Sequence, residues 1–329
     1  MTGGANCAAW GRFRRRRLRP VRRSAALCCA VCVLACAWAC AAALRGRGGA
    51  EREVLLQTEG IRVVRGAPVG DTVTRVAWEA LCGGRLLWLD ERHPLPAGFP
   101  GPDTRGVRKT VGAYLNAAAE VCLDRETVQA LCDMVRDGGL PGLRLVRGAC
   151  SLSQLEAARQ EVFDRYRQVY GLETALARAE QDVPAPDRDE HRLGGTVDVA
   201  WTDVDRPWET DGLARSPTGR WLTRHMAAYG FIAAPEGRSA GEGRVHLRYV
   251  GALHARLMAA MEMDLQEYLT WLAAAGRMTV ELDGTVWYVY SAPLPAWGED
   301  VTVRLPAGEG GESLDNLGGA VFWRRAPGG

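Results

Sequence analysis

Asp189-Glu190-His191-Arg192-Leu193-Gly194-Gly195-Thr196-Val197-Asp198 and, further along the chain, Arg244-Val245-His246-Leu247-Arg248-Tyr249-Val250-Gly251 are the stretches that decide how this sequence is read. In the first, a histidine in a polar loop precedes two glycines and then an alternating apolar run that ends on an aspartate. Gly194 and Gly195 let the backbone turn sharply, so His191 on the loop and Asp198 in the strand can approach one point. In the second, the alternation is that of a strand, and His246 sits where it can supply a third ligand. Two imidazoles and one carboxylate leave a fourth position of a tetrahedral metal open for water, which metal-assisted hydrolysis requires. A histidine and an aspartate seven residues apart also occur by chance, so the first spacing alone is a weak signal.

Around these stretches the pattern predicts a mixed helix and strand body. Asp124–Arg136 has helical periodicity through Val128, Leu131, Cys132 and Val135 and is stopped by Gly138-Gly139. Ser151–Tyr170 reads as a helix capped by Ser151 or Ser153 and continues helically over Gly171–Asp182, until Pro184 and Pro186 break it. Gly219–Tyr229 and a long Leu253–Ala275 are further helices. Strands are expected at Arg85–Asp90, Leu143–Val146, Gly195–Trp201 and Arg244–Val250. From Met278 the texture is all β, with strands at 278–282, 285–290, 301–305 and 320–323. The expected fold class is α+β: a small antiparallel sheet with flanking helices, preceded by one transmembrane helix and followed by a small β appendage.

The N-terminus carries the membrane signal. Arg12, Arg14 to Arg17, Arg19, Arg22 and Arg23 precede the uncharged Ser24–Leu44. Those residues, at about 1.5 Å each, match a hydrocarbon core of roughly 30 Å. The positive-inside rule then keeps residues 1–23 in the cytoplasm, makes 24–44 a signal-anchor in the lipid bilayer and sends the rest outside. A cleaved signal peptide, with Ala39-Cys40-Ala41 as the cleavage site, is the alternative. Residues 45–79 read as a juxtamembrane segment, its first part a Gly-rich linker.

Charge excludes one class of partner. Ten of the 41 basic residues lie in the first 50, which hold no acid, so the remainder carries 31 basic against 39 acidic side chains. An acidic body is a poor match for nucleic acid, which is bound through a basic face. Cys82, Cys122, Cys132 and Cys150 belong to the body, where an oxidising exterior would permit disulfides in any of three pairings.

His191-x-x-Gly194-x-Thr196-x-Asp198 followed by His246-Leu247-Arg248-Tyr249-Val250-Gly251 resembles the vancomycin-resistance type of zinc D-alanyl-D-alanine carboxypeptidase, which shares its core with lysostaphin-type and hedgehog-type domains. Leu86–Leu95, Gly148 with Ser151–Gln154, Val183-Pro184-Ala185-Pro186, Trp221-Leu222, Tyr229-Gly230-Phe231-Ile232 and Asp315-Asn316-Leu317-Gly318-Gly319 extend the likeness over residues 80–329. The resemblance implies a domain at 80–276, a β extension at 277–329, Zn2+ on His191, Asp198 and His246, and a peptidoglycan stem peptide ending in D-Ala-D-Ala as substrate.

The sequence departs from that family at two functional positions. The glutamate expected three residues before the second histidine is Gly243, with Glu242 one residue earlier as the substitute base. The arginine expected shortly after the turn glycine is Cys150, with Arg147 three residues before it as the substitute. Asp189 stands where the family has serine and is expected behind the ligands, together with Arg248 and Tyr249. Three readings follow: a zinc peptidase, a catalytically weakened relative that binds peptidoglycan or an envelope partner, and a structural membrane protein that keeps only the fold.

Overall fold

The computed structural model describes residues 53–70, 72–107, 116–117, 121–140, 142–201, 213, 216–233 and 244–327. The predicted membrane segment 24–44, the Arg-rich tail and Glu242 with Gly243 lie outside these residues. Among the described residues no helix is long and apolar enough to cross a membrane.

Two sheets organise the body. The first contains β1 (Val54–Thr58) and β2 (Ile61–Arg65), which precede β3 (Thr72–Val76) and a short helix α1 (Trp78–Cys82). After them come β4 (Thr104–Gly106), β5 (Asn116–Ala117), β6 (Cys122–Asp124), helix α2 (Arg125–Gly138) and β7 (Leu143–Arg147). Helices α3 (Leu152–Arg167) and α4 (Leu172–Asp182) form a hairpin. A 3-10 turn (Glu190–Leu193) then leads into β8 (Thr196–Trp201). Next are α5 (Pro217–His225), β9 (Phe231–Ala233), β10 (Arg244–Tyr249), α6 (Ala252–Met261) and α7 (Leu265–Ala275). The chain ends in β11 (Arg277–Leu282), β12 (Thr285–Pro293), β13 (Val301–Leu305), β14 (Gly310–Leu314) and β15 (Gly319–Arg325).

Strands β5-β7-β8-β10-β9 form the sheet that carries the site, antiparallel except where β5 meets β7. Helix α2 packs on it through Val128, Leu131, Met134 and Val135, which meet Leu145, Val197, Val199 and Leu247. Asp124 caps α2 by accepting from the Glu126 and Thr127 amides, so the cap and the apolar stripe select the same register. Strands β1-β2-β11-β12-β15-β14 form a second sheet, covered by α6 and α7 through Leu257, Leu265, Tyr268, Leu269 and Leu272.

Three expectations need correction. The first concerns residues 46–60, read as a linker. From Val54 they supply β1, and the following β2 pairs with β11, so the C-terminal strands are part of a six-stranded sheet built from the first and last strands of the described residues. The alternation of Ile61-Arg62-Val63 was the signal for this; the flanking glycines and charges obscured it.

The second concerns Arg85–Asp90, which is an extended connector rather than a strand. Leu86 and Trp88 enter the core beneath the six-stranded sheet, while Leu87 and Leu89 enter a separate core with Trp78, Leu81 and Phe322. Its alternation reflects burial on two sides, and its backbone bonds go elsewhere: Leu86 N donates to Ser313 Oγ (2.9 Å), and Trp88 N donates to the Asp315 carbonyl (3.1 Å).

The third concerns the single helix expected over 253–275. It is two helices, because Glu262 adopts left-handed φ (53°) and Asp264 opens α7 with a reciprocal capping box to Glu267. Helical periodicity persists across such a break, so the apolar pattern concealed it. Strand β14 was not anticipated either; its two leading glycines lack strand character.

Candidate metal centre

His191, Asp198 and His246 come together, one ligand atom from each lying within 4.8 Å of the other two. The local sequence explains the convergence. Asp189 caps the 3-10 turn by accepting from the His191 amide (2.9 Å), which projects His191 inward. Gly194 ends the turn at φ +80°, where a Cβ would lie 2.4 Å from Pro102 Cβ, so a side chain is excluded on both counts. The chain then enters β8. There Asp198 is paired in register with His246 on β10 and with Arg147 on β7, which puts these three side chains in one row across the sheet.

The polar groups are arranged for a cation. His191 Nδ1 is 2.7 Å from Asp189 Oδ1, and its Nε2 faces Asp198 Oδ1 at 3.3 Å. His246 Nδ1 is 2.8 Å from the same Asp198 oxygen. All three side chains are buried, yet His191 Nε2 and Asp198 Oδ2 have no hydrogen-bond partner among the described residues. Unpaired buried polar atoms are costly, and two that converge on one point fit a metal ligand set. Burial opposes ionisation of Asp198, but the two imidazoles outweigh it and hold its carboxyl well below the usual carboxylate range. Burial also opposes a charged His246. Hydrogen bonds to Asp198 and Glu190 overcome it, and in the metal-free site the imidazole is pushed up to about 9.

The other predicted residues fall in distinct places. Asp189 is buried behind His191, and its second oxygen accepts from Arg147 Nη2 at 3.2 Å. Burial raises the Asp189 carboxyl, but His191 and Arg147 bring the net shift below the ordinary value. Arg147 is thereby turned onto Asp189, and its Nε also points at Cys150 Sγ (3.4 Å). Cys150 is a free thiol, as are Cys82, Cys122 and Cys132, so none of the three open pairings is present. Arg248 is buried on the same side of β10 as His246 and donates to Glu190 Oε1 (2.9 Å) and to the carbonyls of Leu87 (2.6 Å) and Arg85 (3.0 Å). Tyr249 faces the other side, against Phe231 and beneath the Arg85 guanidinium, because consecutive strand residues alternate. Glu190 was not singled out by sequence reasoning. Its Oε2 lies 3.2 Å from His246 Nε2.

No protein-family model matches this chain. A curated D-alanyl-D-alanine carboxypeptidase of Enterococcus faecium is 23% identical over 239 residues, covering 69% of this chain and 70% of that protein. Among solved structures, the vancomycin-resistance D,D-dipeptidase VanXYg, in complex with a D-Ala-D-Ala phosphinate analogue, aligns with a TM-score of 0.62 and 18% identity. That match covers 78% of this chain and 99% of VanXYg. The chain has the fold of a vancomycin-resistance D,D-peptidase. The resemblance read from the two histidine motifs is therefore met both by a curated sequence and by a fold. The D,D-pentapeptidase VanY in complex with Zn(II) also aligns, at 21% identity over 56% of this chain with a TM-score of 0.44.

Proposed function

We propose that this chain is a zinc-dependent D-alanyl-D-alanine carboxypeptidase-like peptidase that removes the terminal D-alanine of peptidoglycan stem peptides. In this reading residues 24–44 anchor it in the membrane and the body faces the cell exterior. The observation that carries the proposal is the ligand set: among the described residues His191 Nε2 and Asp198 Oδ2 are buried without a hydrogen-bond partner, beside His246 Nδ1. The similarity to a curated D-alanyl-D-alanine carboxypeptidase, and to the fold of VanXYg with its D-Ala-D-Ala analogue, supports this substrate class.

Zn2+ held by these three residues supplies Lewis-acid polarisation of a carbonyl and activation of water at neutral pH. The protein's own groups set the geometry. Asp189 fixes the His191 ring by accepting from Nδ1–H, leaving the Nε2 lone pair free to ligate. The Arg147–Asp189 pair holds that carboxylate in place. Glu242 is the carboxylate assigned to take the proton from the attacking water.

A second reading is favoured by the environment of Arg147. Cys150 replaces the arginine expected to steady the scissile carbonyl, and Arg147 is already engaged by Asp189 and Cys150. Removing such a charge stabiliser typically costs about 10²–10³-fold in turnover. A zinc-bearing but weakened relative would then bind stem peptides with little hydrolysis.

One experiment separates the readings: metal content of the purified full chain, measured beside D-alanine release from a D-Ala-D-Ala-ended pentapeptide. Stoichiometric zinc with release that His191→Ala abolishes supports the peptidase. Zinc without release supports the weakened relative, and absence of zinc overturns both.

A further inference from the structure

Each histidine of the ligand set has an acidic neighbour on its outer nitrogen, and those two acids are adjacent in sequence. Asp189 meets His191 Nδ1 at 2.7 Å, while Glu190 meets His246 Nε2 at 3.2 Å. Asp189 is the extended cap residue and Glu190 the first residue of the 3-10 turn, so the chain changes conformation between them and the two adjacent acids serve ligands on different elements. Each acid is also clamped by its own arginine: Asp189 by Arg147 (3.2 Å), Glu190 by Arg248 (2.9 Å). Arg248 is anchored in turn to the carbonyls of Leu87 and Arg85. That connector hangs on the C-terminal strands through Leu86 N on Ser313 Oγ and Asn316 Nδ2 on the Trp88 carbonyl (2.8 Å).

A neutral imidazole carries one N–H. For His246 to ligate through Nδ1, which faces Asp198 at 2.8 Å, its proton must sit on Nε2 and find an acceptor there. Resting on the zinc reading above, we propose that Glu190 is the positioning residue that fixes the Nε2–H tautomer and the ring orientation of His246, with Arg248 holding its carboxylate. The role requires two acceptor oxygens, since His246 and Arg248 both donate. Glutamine offers one acceptor and turns its NH2 onto the other donor. Aspartate keeps the charge but is one methylene too short to reach both partners.

The test uses the full chain and Zn2+ in competition with a chromophoric chelator, with Co2+ substituted as a spectroscopic probe. Glu190→Gln and Glu190→Asp should each bind zinc about 10–100-fold more weakly than the wild type, the usual effect of removing a partner from behind a ligand. Their Co2+ spectra should shift in the visible bands; the metal-free melting temperature should also fall, because each variant weakens the buried pair with Arg248, so zinc affinity is compared on variants that circular dichroism shows to be folded. Nitrogen-15 NMR of the zinc-bound wild type should report His246 protonated at Nε2. Wild-type zinc affinity in either folded variant, or a proton on His246 Nδ1, overturns the role of Glu190 and leaves the zinc reading standing. Failure of the wild type itself to bind zinc overturns both.

Discussion

Lowering the pH should release metal from this site more steeply than ordinary histidine chemistry provides, and His246 sets the size of the effect. In the metal-free site its imidazole titrates at about 9, because Asp198 and Glu190 lie on its two nitrogens and outweigh the cost of burying the charge. A ligand must be neutral, so each zinc bound near neutral pH expels about one proton from His246. Affinity should therefore fall about tenfold per pH unit below 9. Between pH 7.5 and pH 6 that is roughly thirty-fold, or ~2 kcal/mol at 1.36 kcal/mol per unit. At fixed excess zinc the stabilisation on loading shrinks by the same amount, so the zinc-induced rise in Tm should be about 4–8 °C smaller at pH 6.

The metal-free protein should move the other way. A folded pKa raised above the unfolded value contributes stability that is complete below pH 6.5 and is lost as the pH rises through 9. Melting with and without zinc from pH 6 to 7.5 reads the first effect, and metal-free melting up to pH 9 reads the second. Calorimetry in two buffers of different ionisation enthalpy counts the proton. A zinc shift independent of pH, with no proton released, would refute the claim that the Asp198–His246–Glu190 row is charged before metal arrives.

Two further outcomes probe the scaffold. His254 is fully buried against Tyr268 and Trp323, and burial alone pushes its imidazole down to about 3. Its contribution is present above pH 6.5 and lost as the pH falls toward 3. Acidifying to pH 4.5 should cost on the order of 3 kcal/mol from this group, and chemical denaturation of His254→Gln should show a correspondingly flatter acid limb; an unchanged limb would exclude His254 as its cause. Gly230 has φ +85°, and a Cβ there would lie 2.6 Å from Tyr249 Cε2 and 2.9 Å from Ala252 N, whereas Gly139 (φ +51°) faces open space. Both alanine substitutions incur backbone strain on the order of 1–3 kcal/mol, but Gly230→Ala should lower Tm further, and equal losses would refute the packing account.

Much of the site was legible along the chain. The His191 and His246 motifs placed three candidate ligands on a loop and two strands, and the structure brings them together because β8 and β10 are neighbours in register at Asp198 and His246. Ligand spacing and strand alternation are local properties, encoded in side-chain period and glycine placement, so a single sequence exposes them. The helices that begin at Asp124 and near Ser151 were readable for the same reason; of the two serines offered as cap, Ser151 is the one that caps.

Only the tertiary structure decided the rest. Leu86–Leu89 alternates like a strand, yet its two faces enter two different cores, and no local pattern distinguishes that from one sheet face and solvent. Glu190 carries no local signal that separates it from any other acid beside a histidine. Its partners, His246 and Arg248, lie 56 and 58 residues away, and contacts at that separation leave no periodic trace. The C-terminal strands read as an appendage because their partner β2 lies near the opposite end of the described chain. The sequence alone determined which side chains could ligate a metal; the pairing of distant strands determined which acids and arginines stand behind them.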